Sequence, residues 1–144
     1  MATLKRFEDM EIWQLARELN RAISPILDKL DEVKAYGLKS QLDSSAGSVM
    51  DNIAEGFERN GNREFIQFLS ISKGSLGEVR SQLYRSLDRK IINQTQNESL
   101  QNSCLSLAEK IGKFMSYLNN SGIKGTKFKK PTTENIISSN DLQF

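Results

Sequence analysis

Apolar residues recur along this chain every three or four positions, the period of an amphipathic helix and not of a strand. Ile12, Leu15, Leu19, Ile23, Ile26 and Leu30 make the first such stripe. Pro25 lies inside it, and an interior proline removes a hydrogen bond and clashes with the preceding turn, so a kink or break is expected near residues 22–25. Lys34 to Tyr36 reads as a polar connection with Gly37 as punctuation. The second stripe is Leu38, Leu42, Ala46, Val49, Ile53 and Phe57, stopped by Asn60-Gly61-Asn62. The third runs through Phe65, Leu69, Ser72, Leu76, Val79, Leu83 and Leu87 to about Lys90, where Arg89 and Lys90 suit the negative end of a helix dipole. Asn93 to Asn97 reads as a further connection. Leu100, Cys104, Leu107, Ile111, Phe114 and Leu118 then alternate spacings of four and three, a heptad seam.

Local signals refine these limits. Gly61 stands three residues before Glu64, the spacing at which an acid reaches back to the backbone N–H of the cap. Glycine caps a few tenths of a kcal/mol less well than serine, and Asn60 or Asn62 is the alternative cap. Gly74 and Gly77 each cost about 1 kcal/mol inside a helix. Beside Ser72 and Ser75 they predict a small-residue surface for close packing within a bundle or between subunits, since Lys73-Gly74-Ser75 lacks the strand and spacing of a phosphate loop. Asn119 to Gly122 ends the fourth helix, with Gly122 or Asn120 free to adopt the left-handed conformation. The expectation is an all-α, up-down-up-down antiparallel four-helix bundle over residues 1–122, followed by a basic, disordered tail over 123–144.

Composition narrows the functional classes. A chain of 144 residues fits one domain that buries roughly 68–70% of its unfolded surface. No apolar run reaches the roughly 20 residues of a membrane span, and the N-terminus lacks a signal-peptide core, so a cytoplasmic location without membrane contact is expected. The single cysteine, Cys104, and the lack of histidine exclude an internal disulfide and any histidine metal site and remove the commonest general base. Cys104 lies on the apolar seam and reads as a buried hydrophobe. Asn52 and Glu55, one turn apart, are expected to form a structural polar network reaching Ser72, Ser75 or the backbone, because no partner nucleophile or base accompanies them. A carboxylate-only metal site built from Asp43, Asp51 or Glu55 lacks converging ligands, since the fourth helix offers only Glu98 and Glu109. No enzyme activity, cofactor or metal is therefore expected. Trp13 with Phe7 and Met10 reads as a packing cluster at one end of the bundle.

Charge is small in total and uneven in distribution. The net value is +2, yet residues 61–90 carry six bases against three acids, and 121–144 carry four against two. Residues 1–60 are acidic, with eight bases against eleven acids. Lysine and arginine neutralise phosphates without special geometry. The candidate nucleic-acid contacts are Lys39, Arg59, Arg63, Lys73 and Arg80 on the helices, and Lys124, Lys127, Lys129 and Lys130 in the tail, where Phe128 adds a ring able to stack on a base.

Gly37-Leu38-Lys39-Ser40-Gln41-Leu42, Asn52 to Arg59, Glu64 to Leu69 and Lys73-Gly74-Ser75 together resemble the bacterial four-helix-bundle proteins encoded by intervening sequences of 23S rRNA genes, a family that includes the accessory variability determinant (Avd) proteins of diversity-generating retroelements. The resemblance runs from about Phe7 to about Leu118. It implies a ring-like homopentamer, for which Ile66, Ile71, Leu105 and Met115, lying off the main seams, would supply a second apolar surface; a wide core face in a monomer explains them equally. It also implies RNA or DNA as a partner, or a role as a scaffold holding a reverse transcriptase. Two departures stand out. Relatives usually carry serine at the Gly61 position, and Asp43-Ser44 stands where the family commonly has paired arginines, which reverses the charge there.

Overall fold

A computed structural model describes residues 4–121. The expected tail over residues 123–144, with Phe128 and its four lysines, and the expected helix end at Gly122 lie outside the described residues. Among the described residues there is no strand: a 3-10 turn, Phe7–Asp9, precedes four helices, α1 (Glu11–Glu32), α2 (Tyr36–Glu58), α3 (Asn62–Asp88) and α4 (Gln94–Ser121). α1 packs on α2, α2 on α3, α3 on α4, and α4 back on α1, whereas the diagonal pairs do not approach. The result is a square antiparallel bundle. All four expected stripes line its core, and Ile12, Leu42, Val49, Leu69, Leu83, Ile111 and Phe114 are fully buried. At the end where α1 and α3 begin, Phe65 meets Phe57 and Phe114 edge to face at 6.2 and 5.3 Å. Phe7 and Trp13 pack the same way at 5.1 Å over buried Met10, as the sequence cluster suggests.

The helix limits correct several expectations. Pro25 does not break α1, which runs unbroken from Glu11 to Glu32. The proline is exposed, so the carbonyl it leaves without an amide partner faces the solvent side of the helix. α1 and α3 both close with a Schellman turn. Ala35 N–H donates to Leu30 O (2.8 Å) and Lys34 N–H to Asp31 O (3.0 Å); Ile91 and Lys90 repeat this to Ser86 O and Leu87 O, each at 2.9 Å. The left-handed position is filled by lysine both times, Lys34 at φ 61° and Lys90 at φ 62°. Asn120 stays helical.

The Asn93 to Asn97 connection is shorter than expected, because α4 begins at Gln94. Asn93 Oδ1 accepts from Gln96 N–H and Gln96 Oε1 accepts from Asn93 N–H, both at 2.8 Å, a reciprocal capping box. At α3 the cap residue is Gly61 at φ 114°, a conformation that excludes a side chain, and Glu64 reaches back one residue further than expected, to the N–H of Asn60 at 3.3 Å.

Close packing falls on a different glycine from the pair expected. Gly74 and Gly77 are exposed, and a Cβ on either would meet nothing within 4 Å. Gly56 is the packed one: a Cβ there would lie 2.8 Å from Phe65 Cδ1 and 2.9 Å from Phe68 Cβ. It lets α3 cross α2 at contact distance.

Candidate nucleic-acid interface

The α2–α3 seam carries the polar network expected around Asn52. Asn52 Nδ2 donates to Ser48 O (2.8 Å) and Ser48 Oγ (2.9 Å), and Ser75 Oγ bonds Ser48 Oγ at 2.9 Å. Buried Ser72 donates to Val49 O at 2.8 Å, and Gln82 Nε2 donates to Ser45 Oγ at 3.0 Å. Glu55 is not part of it; its exposed carboxylate pairs with Arg59 at 2.8 Å. Cys104 is fully buried, and burial pushes its thiol up to about 11, which leaves it protonated and unreactive at neutral pH.

The helix cations proposed from sequence do not form one patch. Lys39 lies in the first turn of α2 and Arg59 just past its last turn, roughly 30 Å apart at 1.5 Å per residue. Lys39 pairs with Asp31 at 2.8 Å, and that hydrogen bond, opposed by partial desolvation and reinforced by the field of Asp31, raises its pKa. Arg59 is held by Glu55 and lies 5.0 Å over the Phe68 ring. Arg80 is half-buried, with Nε donating to Gln101 Oε1 at 2.8 Å while Gln101 Nε2 donates back to Arg80 O at 2.9 Å. Arg63 and Lys73 are exposed and form no ion pair among the described residues. Lys73 stretches across α4, with Nζ 3.7 Å from where a Cβ on Gly112 would stand.

A link that periodicity does not reveal joins Arg63 to the root of the tail. The neighbouring Asn62 is buried in the first turn of α3, and its Nδ2 donates to Leu118 O (2.8 Å) and Ser121 Oγ (3.0 Å) in the last turn of α4. Arg59, Arg63 and the point from which residues 122–144 depart therefore share one end of the bundle, while Lys39 sits at the other. Among the described residues no three histidine, cysteine or acidic side chains gather as a metal site, and no helix is long and apolar enough to cross a membrane.

Comparison with known proteins agrees with this architecture. No curated protein matches the chain. Among solved structures, a protein of unknown function from the S23 ribosomal protein family of Bacteroides thetaiotaomicron VPI-5482 superposes with a TM-score of 0.68 at 21% identity, covering 72% of this chain and 97% of that one. At that identity the likeness carries the fold alone. The family described as 23S rRNA-intervening sequence protein matches residues 8–113, from the 3-10 turn into the last third of α4, and so takes in every helix and both sides of the α2–α3 network. This chain belongs to the 23S rRNA-intervening sequence protein family.

Proposed function

We propose that this is a non-enzymatic, oligomeric helical-bundle protein that binds RNA, alone or within a nucleic-acid-containing complex, through cations repeated around the assembly. The observation that carries the reading is the Asn62 link. It puts the guanidinium of Arg63, exposed and in no ion pair among the described residues, at the bundle end from which the segment with Lys124, Lys127, Lys129 and Lys130 departs. Phosphate contacts from such cations are individually weak and fade with salt, and an oligomer adds them through effective concentration. Asp43-Ser44 removes positive charge from the face of α2, so the interface rests on this end and not on that face.

The test is retention of structured RNA by the full chain at low and high salt. Each phosphate contact contributes about 0.7 to the logarithmic salt slope on single strands and about 0.9 on duplex DNA, so deleting residues 123–144 with their four lysines should flatten the slope by roughly 3. Arg63→Glu should weaken retention further with little change in stability. Absence of RNA retention at low salt would sink this reading in favour of a scaffold that holds a protein partner, such as a reverse transcriptase.

A further inference from the structure

On the α1–α4 side of the bundle two open depressions meet at Ala22 and Leu100 and make one groove along the seam. Its floor is apolar, with Leu15, Leu19, Ile26 and Leu107 beside those two residues. Its α4 wall is a row of exposed hydroxyls, Thr95, Ser99, Ser103 and Ser106. The charged residues lining it come from α1: Glu18 near the head, toward the end where α1 begins and α4 stops, and Lys29 near the foot. Both are exposed and form no ion pair among the described residues. An apolar floor beside a row of hydroxyls fits a segment in which aliphatic and aromatic side chains stand among short polar ones.

The chain carries such a segment within reach. Residues 131–144 hold Ile136, Ile137, Leu142 and Phe144 among threonine, serine and asparagine, and their only charges are Glu134 and Asp141. From Ser121, at the head end, Leu107 lies about 21 Å and Thr95 about 39 Å back along α4 at 1.5 Å per residue. The nine linking residues 122–130 span about 30 Å when extended, so the segment arrives at the groove with all its apolar residues still to place. Charge runs in matching order: Lys129 and Lys130 come first, as Glu18 does at the head, and Asp141 comes late, as Lys29 does at the foot. Glu134 falls between, where the hydroxyl row supplies donors. We propose that residues 131–144 turn back from the head of the bundle and dock in the α1–α4 groove of their own chain, with Ile136, Ile137, Leu142 and Phe144 on its floor. Tethering raises the local concentration of the segment to the order of millimolar, so a contact too weak to hold a free peptide or a separate partner suffices here. The docking goes beyond the RNA reading and does not rest on it.

A spin label on Gln143→Cys in the full chain, with no RNA present, tests the docking, because Cys104 is buried and does not take the label. Paramagnetic broadening should fall on the amide signals of Lys29, Thr95 and Ser99 and spare those of Asp51 and Gly74 on the far side of the bundle. Isotope-enriched chain without the label, mixed with labelled chain, should show none of it. Ile136→Asp combined with Ile137→Asp should lower the docked population by more than roughly tenfold, the burial of one aliphatic side chain being worth about that factor. Ser103→Arg should displace the segment by bulk, and Ser103 is exposed, so the circular dichroism should stay that of the wild type. Broadening that is absent or spread evenly over the bundle overturns the proposal. So does equal broadening in the mixed sample, which would make the occupant a second copy, and so does wild-type broadening in the isoleucine double variant or in Ser103→Arg. None of these outcomes alters RNA retention by the unlabelled chain, and loss of RNA retention would leave the docked segment in place.

Discussion

The α2–α3 seam and the α1–α4 seam are built from similar stripes and each carries an open depression, the former between Gln41, Ser45, Gln82 and Arg85, yet only the α2–α3 seam is cross-linked by a row of side-chain hydrogen bonds. Between α2 and α3, Gly56 lets the helices touch at Phe65 and Phe68, and Ser45, Ser48, Ser72, Ser75 and Gln82 bond across the gap. Between α1 and α4 the main polar tie is the Glu11–Lys110 pair at 3.3 Å. Along the rest of that seam two open depressions, lined by Leu15, Leu19, Ala22, Ile26, Leu100 and Leu107, share Ala22 and Leu100. Small residues on one helix do not determine packing; they tighten a seam only where the facing helix presents rings and hydroxyls to fill the space.

If that contrast holds, adding volume should have opposite signs at the two seams. Gly56→Val collides with the Phe65 ring and Phe68 Cβ and should destabilise by about 3 kcal/mol, read as a lower urea midpoint at unchanged slope. Ser72→Ala leaves the Val49 carbonyl one donor short in a buried place, at a cost of about 1 kcal/mol. Ala22→Leu should instead stabilise, by up to about 1 kcal/mol, because the new side chain fills an existing depression. A loss there as large as that of Gly56→Val would show that the α1–α4 seam is as tight as its counterpart. The smallest effect belongs to neither seam: Lys34→Gly and Lys90→Gly should each gain about 0.5 kcal/mol by relieving a left-handed lysine, visible as a small rise in melting temperature.

The fold was legible because each stripe keeps one period over several turns and every stripe position except the half-buried Leu15 and Leu87 is buried. Short-range chemistry was less so. A polar run such as Asn93 to Asn97 reads as loop by composition, although Asn93 and Gln96 stand at capping-box spacing. Gly56 continues the Val49 and Ile53 stripe by one more step of three and so faces the neighbouring helix, whereas Gly74 and Gly77 fall off the buried stripe of α3 and face solvent. Pro25 does not break α1 because the lost hydrogen bond is costly only where the freed carbonyl is kept from water. For the candidate interface, nearness to a motif in sequence said nothing about nearness in space. Lys39 and Arg59 flank one helix and so stand at opposite ends of the molecule, while Asn62 and Ser121, far apart in the chain, are hydrogen bonded.

The order in which the helices pack also bears on how the chain folds. Three of the four helix contacts join elements adjacent in sequence across connections of three to five residues, so most native contacts close small loops and folding should be fast for a chain of this length. Only α1 with α4 requires the two ends of the bundle sequence to meet, and that is the seam with the least to hold it. The α2–α3 hairpin is thus the natural nucleus, and α1 docking the last event. In the folded protein the same asymmetry makes separation of α1 from α4 the lowest-energy excursion, with backbone amides of α1 exchanging with solvent well before those of α2 and α3.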